Sequence, residues 1–327
     1  MINSAKIATL ALLVGFAVYL AAFRDGGDDT SLSIAIVTHS TADVDYYELT
    51  KPNHADYAAR HGYTYWPRTG RISGTQFFDP NAKKRVWRLG LYWQKIAAME
   101  QALEREYDWV MWVDADVVFT NPNVKIESII ERYGNDKDLI VATDLWLGRH
   151  DQINSGVFLV RNSPGGRKLI ADIASLYTKY KNRRTPEQQA LQDTILNENG
   201  LVENAVIVPQ RAINAFYDVA KIAPKNANWH ACDFAAHVCA TPDKRGKIEQ
   251  LLSRLDRQEF ECSDMVLPAP IKYVATPKPT TNKVKDAAST LPKVEGNTLP
   301  NVDGSLKGQT ALSAPTMSPD KQAIVTL

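Results

Sequence analysis

The stretch DWVMWVDADVVFTNP, Asp108 to Pro122, decides the fold of this chain. Trp109 to Val113 is wholly apolar, which is typical of a strand buried on both faces of a sheet. Asp114 and Asp116 follow at its end, and residues two apart in an extended chain point the same way. In an open α/β sheet, ligands bind at the carboxyl ends of strands. The stretch therefore predicts an α/β domain with an acidic site at a strand exit.

Two carboxylates this close repel each other unless a cation lies between them. A hard ion such as Mn²⁺ or Mg²⁺, shared with phosphate oxygens of a substrate, removes the repulsion and creates an electrophilic centre. We therefore predict that Asp114 and Asp116 bind a metal. The alternative is that they cap the strand and begin a turn, which Asn121 and Pro122 then continue.

Composition limits the class of protein. The chain has 327 residues, 44% of them apolar, and a net charge of +1, so it can bury a full core in one large or two ordinary domains. A balanced charge without a clustered Lys/Arg face argues against a nucleic-acid partner.

The N-terminus carries a separate signal. Ile7 to Phe23 is an uncharged apolar run of 17 residues, at the short limit for spanning a bilayer. Lys6 and the amino terminus precede it, and Arg24, Asp25, Asp28 and Asp29 follow, which favours a cytosolic N-terminus and a type II topology. The short span suits a Golgi or early-secretory membrane, with the catalytic domain in the lumen. A cleaved signal peptide, cut near Ala21 and Ala22, is the alternative.

The remaining chain divides by composition. We predict a tail and anchor over 1–24, a stem over 25–31, one α/β domain over 32–267 and a disordered tail, rich in Pro, Thr and Lys, over 268–327. Periodicity predicts five helices in the domain: 45–62 with an interruption near Pro52, 87–106, 126–133, 165–180 and 186–197. A strand over 157–160 follows a predicted tight Asn-Ser-Gly turn.

Polar side chains outside the acidic pair have two interpretations each. Thr38 and Ser40 end the first predicted strand, where hydroxyls bind a nucleoside or make an ordinary turn. Lys95 lies on a helix, where it reaches a phosphate or faces solvent. Asn154 and Ser155 bind a sugar by hydrogen bonds or serve the turn.

Six segments in order resemble glycosyltransferase family 34, which contains fungal α-galactosyl- and α-mannosyltransferases and plant xyloglucan xylosyltransferases. The resemblance covers about residues 33 to 245. The segments are YAARHGYTYW, WQKIAAMEQAL, DWVMWVDADVVFTNP, INSGVFLVRNS, EQQAL and DFAAHVCA, beginning at residues 57, 93, 108, 153, 187 and 233. This chain departs from the family after its late histidine, where His237 is followed by Val-Cys-Ala in place of a glycine-containing segment.

The resemblance implies a GT-A fold: Rossmann-like, with a mostly parallel central sheet flanked by helices. It also implies a metal-bound nucleotide-sugar donor and retention of anomeric configuration. The implied metal ligands are Asp114, Asp116 and His237. The implied residues at the donor sugar and reaction centre are Asn154 and Gln188, and those near the nucleotide and phosphates are Thr38, Ser40 and Lys95.

The expected function is transfer of a hexosyl or pentosyl group from a UDP-Gal, GDP-Man or UDP-Xyl type of donor to a hydroxyl of a glycan acceptor. We also expect homo- or hetero-oligomers with other transferases. A retaining double displacement would need a carboxylate such as Glu187 or Asp193, whereas front-face attack needs none.

Three alternatives stay open. A phosphatase of the haloacid dehalogenase type would use Asp114 as nucleophile, and a GT-A domain without activity would bind glycans or act as a scaffold. A zinc site would use the cluster His230, Cys232, His237 and Cys239. The chain has three cysteines, so one disulfide is possible.

Overall fold

The computed structural model describes residues 31–41, 44–70, 72, 77, 90–145, 152–197, 200–218, 226–239, 241–263 and 265–271. They belong to one compact unit that extends to Ala275. The predicted anchor, nearly all of the stem and residues 272–327 of the predicted tail lie outside this part of the chain. Within it, none of the helices combines the length and the hydropathy of a membrane span.

A six-stranded sheet of order β2-β1-β3-β6-β5-β9 forms the centre of the fold. β2-β1, β1-β3 and β5-β9 pair in parallel, whereas β6 runs antiparallel to both of its neighbours. The sheet is therefore mixed. Its strands are β1 (Ile34–Ser40), β2 (Thr64–Thr69), β3 (Trp109–Val113), β5 (Leu139–Thr143), β6 (Ile153–Arg161) and β9 (Ala205–Val208).

Helices cover both faces of this sheet, which explains why β3 has no polar residue. Val110 and Trp112 belong to one hydrophobic core, while Trp109, Met111 and Val113 belong to the other. Because side chains alternate along a strand, a strand between two cores must be apolar at every position. The predicted doubly buried strand is confirmed.

The helices of the described residues are α1 (Tyr47–His61), α2 (Gln94–Leu103), α3 (Ile126–Tyr133), α4 (Pro164–Ser175), α5 (Tyr177–Tyr180), α6 (Pro186–Ile195), α7 (Gln210–Ile213) and α8 (Lys244–Asp256). Short strands β7 (Leu196–Asn197) and β8 (Gly200–Leu201) pair with each other after α6.

A small sheet of order β10-β11-β4 brings two distant segments together. Its strands are β4 (Val117–Phe119), β10 (Ala215–Phe216) and β11 (Ala235–His237). β11 runs antiparallel to β4, with His237 opposite Val117. The late histidine therefore lies beside the segment that follows the two aspartates.

Two local predictions were wrong. Pro52 lies inside α1 and does not interrupt it. The bond that Pro52 cannot donate would reach the carbonyl of Glu48, which is an exposed residue of the first turn. Asn154, Ser155 and Gly156 do not form a tight turn: they lie within β6, where the register against β5 shifts between Val141 and Ala142. A β-bulge accommodates the extra residues without ending the strand.

The segment after α8 packs back onto the domain. A disulfide joins Cys232 to Cys262. The Tyr133 hydroxyl donates to the Pro268 carbonyl at 2.6 Å, and the Ile271 amide donates to the Ile207 carbonyl at 3.0 Å. The described chain is thus fixed to the domain up to Ile271.

Candidate metal and donor site

Three potential metal ligands meet where the central sheet joins the small sheet. Asp114 and Asp116 lie in the turn between β3 and β4, and His237 ends β11. One ligand atom from each of them lies within 4.8 Å of the other two. The topology therefore brings together the three residues that the resemblance implied.

Asp116 is buried and lies between two cationic or potentially cationic groups. Its carboxylate contacts the Lys244 ammonium, and His237 Nε2 lies 3.2 Å from its Oδ1. Burial raises the pKa of Asp116, but His237 and Lys244 lower it more, so the net pKa is well below the ordinary value. Asp116 is therefore an anion at neutral pH, as a metal ligand must be.

Asp114 forms an ion pair with Lys95. Lys95 Nζ lies 3.0 Å from Asp114 Oδ1 and 3.3 Å from Glu187 Oε1, and it donates to the Ser155 carbonyl at 2.8 Å. Burial lowers the pKa of Lys95, but the two carboxylates raise it more. Trp112 Nε1 also donates to Asp114 Oδ1 at 2.6 Å. These bonds fix one carboxylate oxygen and restrict how Asp114 turns toward a ligand.

The chemistry of the three ligands fits Mn²⁺ or Mg²⁺. Carboxylate oxygens are the preferred ligands of both ions, and Mn²⁺ also accepts imidazole nitrogen. Gly156 makes room for the imidazole: a Cβ at that position would lie 2.4 Å from His237 Cε1 and 2.6 Å from Nδ1. The absence of a side chain at residue 156 is therefore a condition for His237 to occupy the site.

Helix α1 holds the acidic turn through three side chains. Thr50 Oγ1 donates to the Ala115 carbonyl at 2.7 Å, and Asn53 bonds the backbone of Phe119 through both its Oδ1 and its Nδ2. His54 Nε2 donates to the Val117 carbonyl at 2.7 Å. Helix α1 thus fixes the conformation of the turn, although it lies more than fifty residues earlier in the sequence.

The interior position of His54 determines its protonation state. Burial lowers its pKa to about 4, although the Val117 carbonyl and Asp116 act in the opposite direction. His54 is therefore neutral at pH 7. Since Nε2 donates to a carbonyl, Nδ1 is the acceptor, and the Thr38 hydroxyl lies 3.3 Å from it.

The implied reaction-centre residues Asn154 and Gln188 both lie beside Ser155. Asn154 precedes it in β6, and Gln188 contacts it from α6. Gln188 Oε1 accepts from the Ser155 amide at 3.1 Å, and its Nε2 lies 3.4 Å from Asp144 Oδ2. Asn154 Oδ1 accepts from the amides of Gly156 and Asn214 at 2.9 and 2.7 Å. Both side chains thus lie at the same end of the sheet as the metal ligands.

The three residues implied near the nucleotide and phosphates are all buried. Thr38 contacts His54, and Lys95 is surrounded by Asp114, Ser155 and Glu187. Ser40 lies at the carboxyl end of β1 and donates to the Thr41 carbonyl at 3.3 Å. Their contact with a donor substrate stays a prediction.

Three further residues at this site carried no functional prediction: Lys244, Gly156 and Asp144. Lys244 is the first residue of α8 and no pattern distinguishes it from other helical lysines. Gly156 was assigned to a turn, because Asn-Ser-Gly is typical of one. Asp144 follows the apolar run of β5 as Asp114 follows β3, and that signal could have been used.

The zinc alternative was wrong. Cys232 is bonded to Cys262, so its sulfur is not a thiolate that could bind zinc. The free Cys239 has a pKa raised far above its ordinary value, chiefly by burial, and is a thiol at neutral pH.

Comparison with known proteins shows the family. The model of the galactosyl transferase GMA12/MNN10 family matches residues 32–141 and 128–244. The chain belongs to this family. The resemblance to glycosyltransferase family 34 is confirmed, and the phosphatase alternative loses its basis, because GMA12/MNN10 proteins are glycosyltransferases by name and not phosphatases.

Curated relatives of this GMA12/MNN10 protein bear corresponding names. Probable glycosyltransferase 6 of Oryza sativa subsp. indica is 33% identical over 100 residues, covering 28% of this chain and 20% of that protein. An uncharacterized alpha-1,2-galactosyltransferase of Schizosaccharomyces pombe is 25% identical over 205 residues, covering 52% of this chain and 51% of that protein. The chain thus spans between a fifth and a half of these relatives.

Among solved structures, a glycosyltransferase involved in the glycosylation of the major capsid of PBCV-1 is similar in fold. The TM-score is 0.52 at 18% identity, and the alignment covers 68% of this chain and 99% of that one. The predicted GT-A α/β fold with a central sheet is therefore confirmed for the domain of this GMA12/MNN10 protein.

Proposed function

We propose that this chain is a metal-dependent, retaining glycosyltransferase. It moves a hexosyl or pentosyl group from a nucleotide-diphosphate sugar, of the UDP-Gal, GDP-Man or UDP-Xyl type, to a hydroxyl of a glycan acceptor. One observation carries the proposal: in a member of the GMA12/MNN10 family, Asp114, Asp116 and His237 lie together at the carboxyl end of the central sheet.

The charges around these ligands suit a diphosphate. A bound Mn²⁺ or Mg²⁺ would supply positive charge against the diphosphate leaving group. Lys244 adds a second positive charge, because its ammonium lies at the Asp116 carboxylate. Its side chain is 28% exposed, so a phosphate could reach it. In the proposed mechanism Asp114, Asp116 and His237 hold the metal, and Lys244 binds a phosphate oxygen.

The positions of the acidic side chains favour front-face attack over a double displacement. Asp193 contacts the Tyr180 hydroxyl and lies 3.8 Å from Lys179, both on the neighbouring helix α5. Glu187 is buried, with one oxygen bonded to Lys95 and the other enclosed by protein. A nucleophile must touch the anomeric carbon. Glu187 is too enclosed for that, and Asp193, although its side chain is 40% exposed, is engaged by the two residues of α5. Retention through front-face attack is therefore part of the proposal.

The residues implied near the donor receive distinct roles. Ser40 at the exit of β1 contacts the nucleotide. Thr38 acts by holding His54, and Lys95 by holding Asp114 close to Ser155. Asn154 and Gln188 position the sugar at the reaction centre.

The cellular setting is also proposed. The chain is a single-pass type II protein of the Golgi or early secretory membrane, anchored by residues 7–23, with its catalytic domain in the lumen. The disulfide between Cys232 and Cys262 supports an oxidising compartment. Its partners are the donor, the glycan acceptor and other transferases in homo- or hetero-oligomers, and nucleic acid is not among them.

The test is nucleotide release by the purified full chain with UDP- and GDP-sugars, with Mn²⁺ and then with a chelator. We expect one donor to be turned over, and the chelator to abolish the turnover. Asp116→Asn should lower turnover at least about 100-fold. The matched control Asp172→Asn, in an exposed ion pair with Lys168, should not change it.

Turnover that neither the chelator nor Asp116→Asn affects would overturn the metal site. Metal-dependent hydrolysis of a phosphomonoester without glycosyl transfer would favour the phosphatase. Absence of both activities, with a folded protein by thermal unfolding, would favour a domain that binds glycans or acts as a scaffold.

A further inference from the structure

Two consecutive backbone amides determine which end of each reaction-centre amide side chain faces the substrate. The amides belong to Ser155 and Gly156 in the bulged part of β6. Each donates to one side-chain amide: Ser155 N to Gln188 at 3.1 Å, and Gly156 N to Asn154 at 2.9 Å. A backbone N–H has no acceptor capacity, so the atom that it contacts must be the side-chain oxygen. The usual ambiguity between oxygen and nitrogen in an amide is thereby removed.

For Gln188 the orientation is supported from both ends. Its Oε1 lies 3.3 Å from the Ser155 hydroxyl as well as 3.1 Å from the Ser155 amide. Its Nε2 lies 3.4 Å from Asp144 Oδ2, and a carboxylate only accepts. Ser155 itself is fixed, because Lys95 Nζ donates to its carbonyl at 2.8 Å.

For Asn154 a buried neighbour agrees with the orientation that the Gly156 amide sets, although among the described residues the neighbour's own side-chain oxygen has no hydrogen-bond partner. Asn214 Nδ2 donates to Asn154 Oδ1 at 2.7 Å, and Asn214 is fully buried at the end of α7. The Asn214 carbonyl in turn accepts from Gln210 Nε2. Asn154 Oδ1 thus accepts two hydrogen bonds, while among the described residues no acceptor contacts its NH₂ group.

We propose that Asn154 and Gln188 act on the substrate as hydrogen-bond donors, through their NH₂ groups, and that Asn214 and Ser155 are the residues that position them. This rests on the proposed glycosyl transfer. The groups that they contact are oxygen acceptors of the sugar or of the departing diphosphate. The Gln188 oxygen is directed at the Ser155 amide and not at the anomeric carbon.

Gln188→Glu tests the donor role, because a carboxylate has the same shape but no N–H. We expect kcat/KM to fall about 100-fold at about pH 8. The deficit should shrink toward about pH 5, because the protonated carboxyl regains one O–H donor. Equal or higher activity, or a covalent glycosyl-protein adduct that accumulates at high pH, would overturn the proposal. Gln189→Glu is the matched control, since Gln189 is the next residue of α6 and is exposed.

A second measurement does not depend on turnover. If the NH₂ of Gln188 faces Asp144, Gln188→Glu brings two carboxylates together and lowers the melting temperature by about 3 °C or more at about pH 8. The loss should diminish as the pH falls. An unchanged or higher melting temperature would mean that the Gln188 N–H makes no stabilising bond to Asp144, which overturns the proposal even if the chain transfers no sugar.

The positioning role of Asn214 has its own test. Asn214→Asp replaces the donor to Asn154 Oδ1 with an oxygen. The side-chain amide of Asn154 must then exchange the positions of its oxygen and nitrogen, or lose this hydrogen bond. We expect Asn214→Asp and Asn154→Ala each to lower kcat/KM about 100-fold, and the double variant to be no worse than either. Independent, multiplying losses would show that Asn214 does not act through Asn154.

The two proposals can also fail separately. If the wild type turns over no donor but Gln188→Glu shows the expected melting behaviour, the glycosyl transfer is rejected and the proposed orientation of the Gln188 amide is kept.

Discussion

The stability of this domain should depend on pH through one buried side chain, His54. In the folded protein burial lowers its pKa to about 4 from an ordinary value of 6.5. Between these two values the unfolded chain binds a proton that the folded chain does not. The contribution of neutral His54 to stability is therefore fully present above pH 6.5 and is lost as the pH falls toward 4.

The size of the effect follows from the shift. Each pKa unit corresponds to about 1.36 kcal/mol, so a shift of about 2.5 units is worth about 3 kcal/mol when the window is crossed completely. A domain of this kind has a total stability of about 5 to 15 kcal/mol, so this is a substantial part of it. Protonation would also break the acceptor contact of His54 Nδ1 with the Thr38 hydroxyl.

The perturbation is His54→Gln, whose amide nitrogen occupies the position of Nε2 and keeps the donor to the Val117 carbonyl. The assay is urea unfolding of both proteins at about pH 7.5 and about pH 4.5. At the higher pH the variant should be less stable by about 1 to 2 kcal/mol through imperfect packing. Between the two pH values the wild type should lose about 2 kcal/mol more than the variant.

Other groups titrate in the same range, but they are common to both proteins and cancel in the difference. His61→Gln is the matched control. His61 lies in the last turn of the same helix, is only partly buried and also bonds a carbonyl, that of Pro122 at 2.8 Å. Parallel pH dependence of the wild type and His54→Gln would refute the argument, because His54 would then not be the group that titrates.

Three further changes have definite expected outcomes. Gly156→Ala places a Cβ 2.4 Å from His237 Cε1, so it should weaken Mn²⁺ binding at least about tenfold in calorimetric titration. Lys95→Met leaves the buried Glu187 and the partly exposed Asp114 without their cation and should lower the free energy of unfolding by about 3 to 5 kcal/mol in urea. Replacing Cys232 and Cys262 by Ser opens a loop of sequence separation 30 and should lower it by about 3 to 4 kcal/mol.

Each of these has a control or a contrary result. Gly62→Ala also adds a methyl group, at a position with φ 73° and no atom within 4 Å, so it should cost about 1 kcal/mol of stability without changing Mn²⁺ affinity. Unchanged Mn²⁺ affinity in Gly156→Ala would show that His237 is not a ligand. Full stability of Lys95→Met at neutral pH would mean that Glu187, whose pKa is raised by burial, is protonated when Lys95 is absent. Equal stability with and without the disulfide would contradict the loop argument.

The central strand and the acidic turn could be predicted because their signal is local. An apolar run such as Trp109–Val113 has to lie between two cores, and a charged residue at its end has to lie at the edge of the sheet. The grouping of His237 with the two aspartates could not be predicted from spacing. It depends on the pairing of β11 with β4, two strands of three residues each, and only the family resemblance indicated it.

Other features could not be predicted because tertiary contacts overrode local preference. Asn154, Ser155 and Gly156 are typical turn formers, yet the pairing of Asn154 with Ala142 of β5 and the bond from the Asp114 amide to the Gly156 carbonyl keep them in a bulged strand. One bond joins two of them, from the Gly156 amide to Asn154 Oδ1, and their other polar groups bond Gln188, Asn214 and Lys95. For the same reason the sequence shows Lys95 as an ordinary helical lysine, although the structure buries it between carboxylates.

The hydrogen bonds from α1 to the acidic turn have a consequence for chimeras between this domain and its relatives. The three side chains of α1 bond residues that lie 63 to 66 positions further along the chain. A chimera whose crossover lies between residues 62 and 108 would join the helix of one parent to the turn of the other. Unless both parents share those three contacts, such hybrids should fold with a misplaced turn. Exchange of the acidic turn between relatives therefore requires transplanting α1 and the turn as a pair.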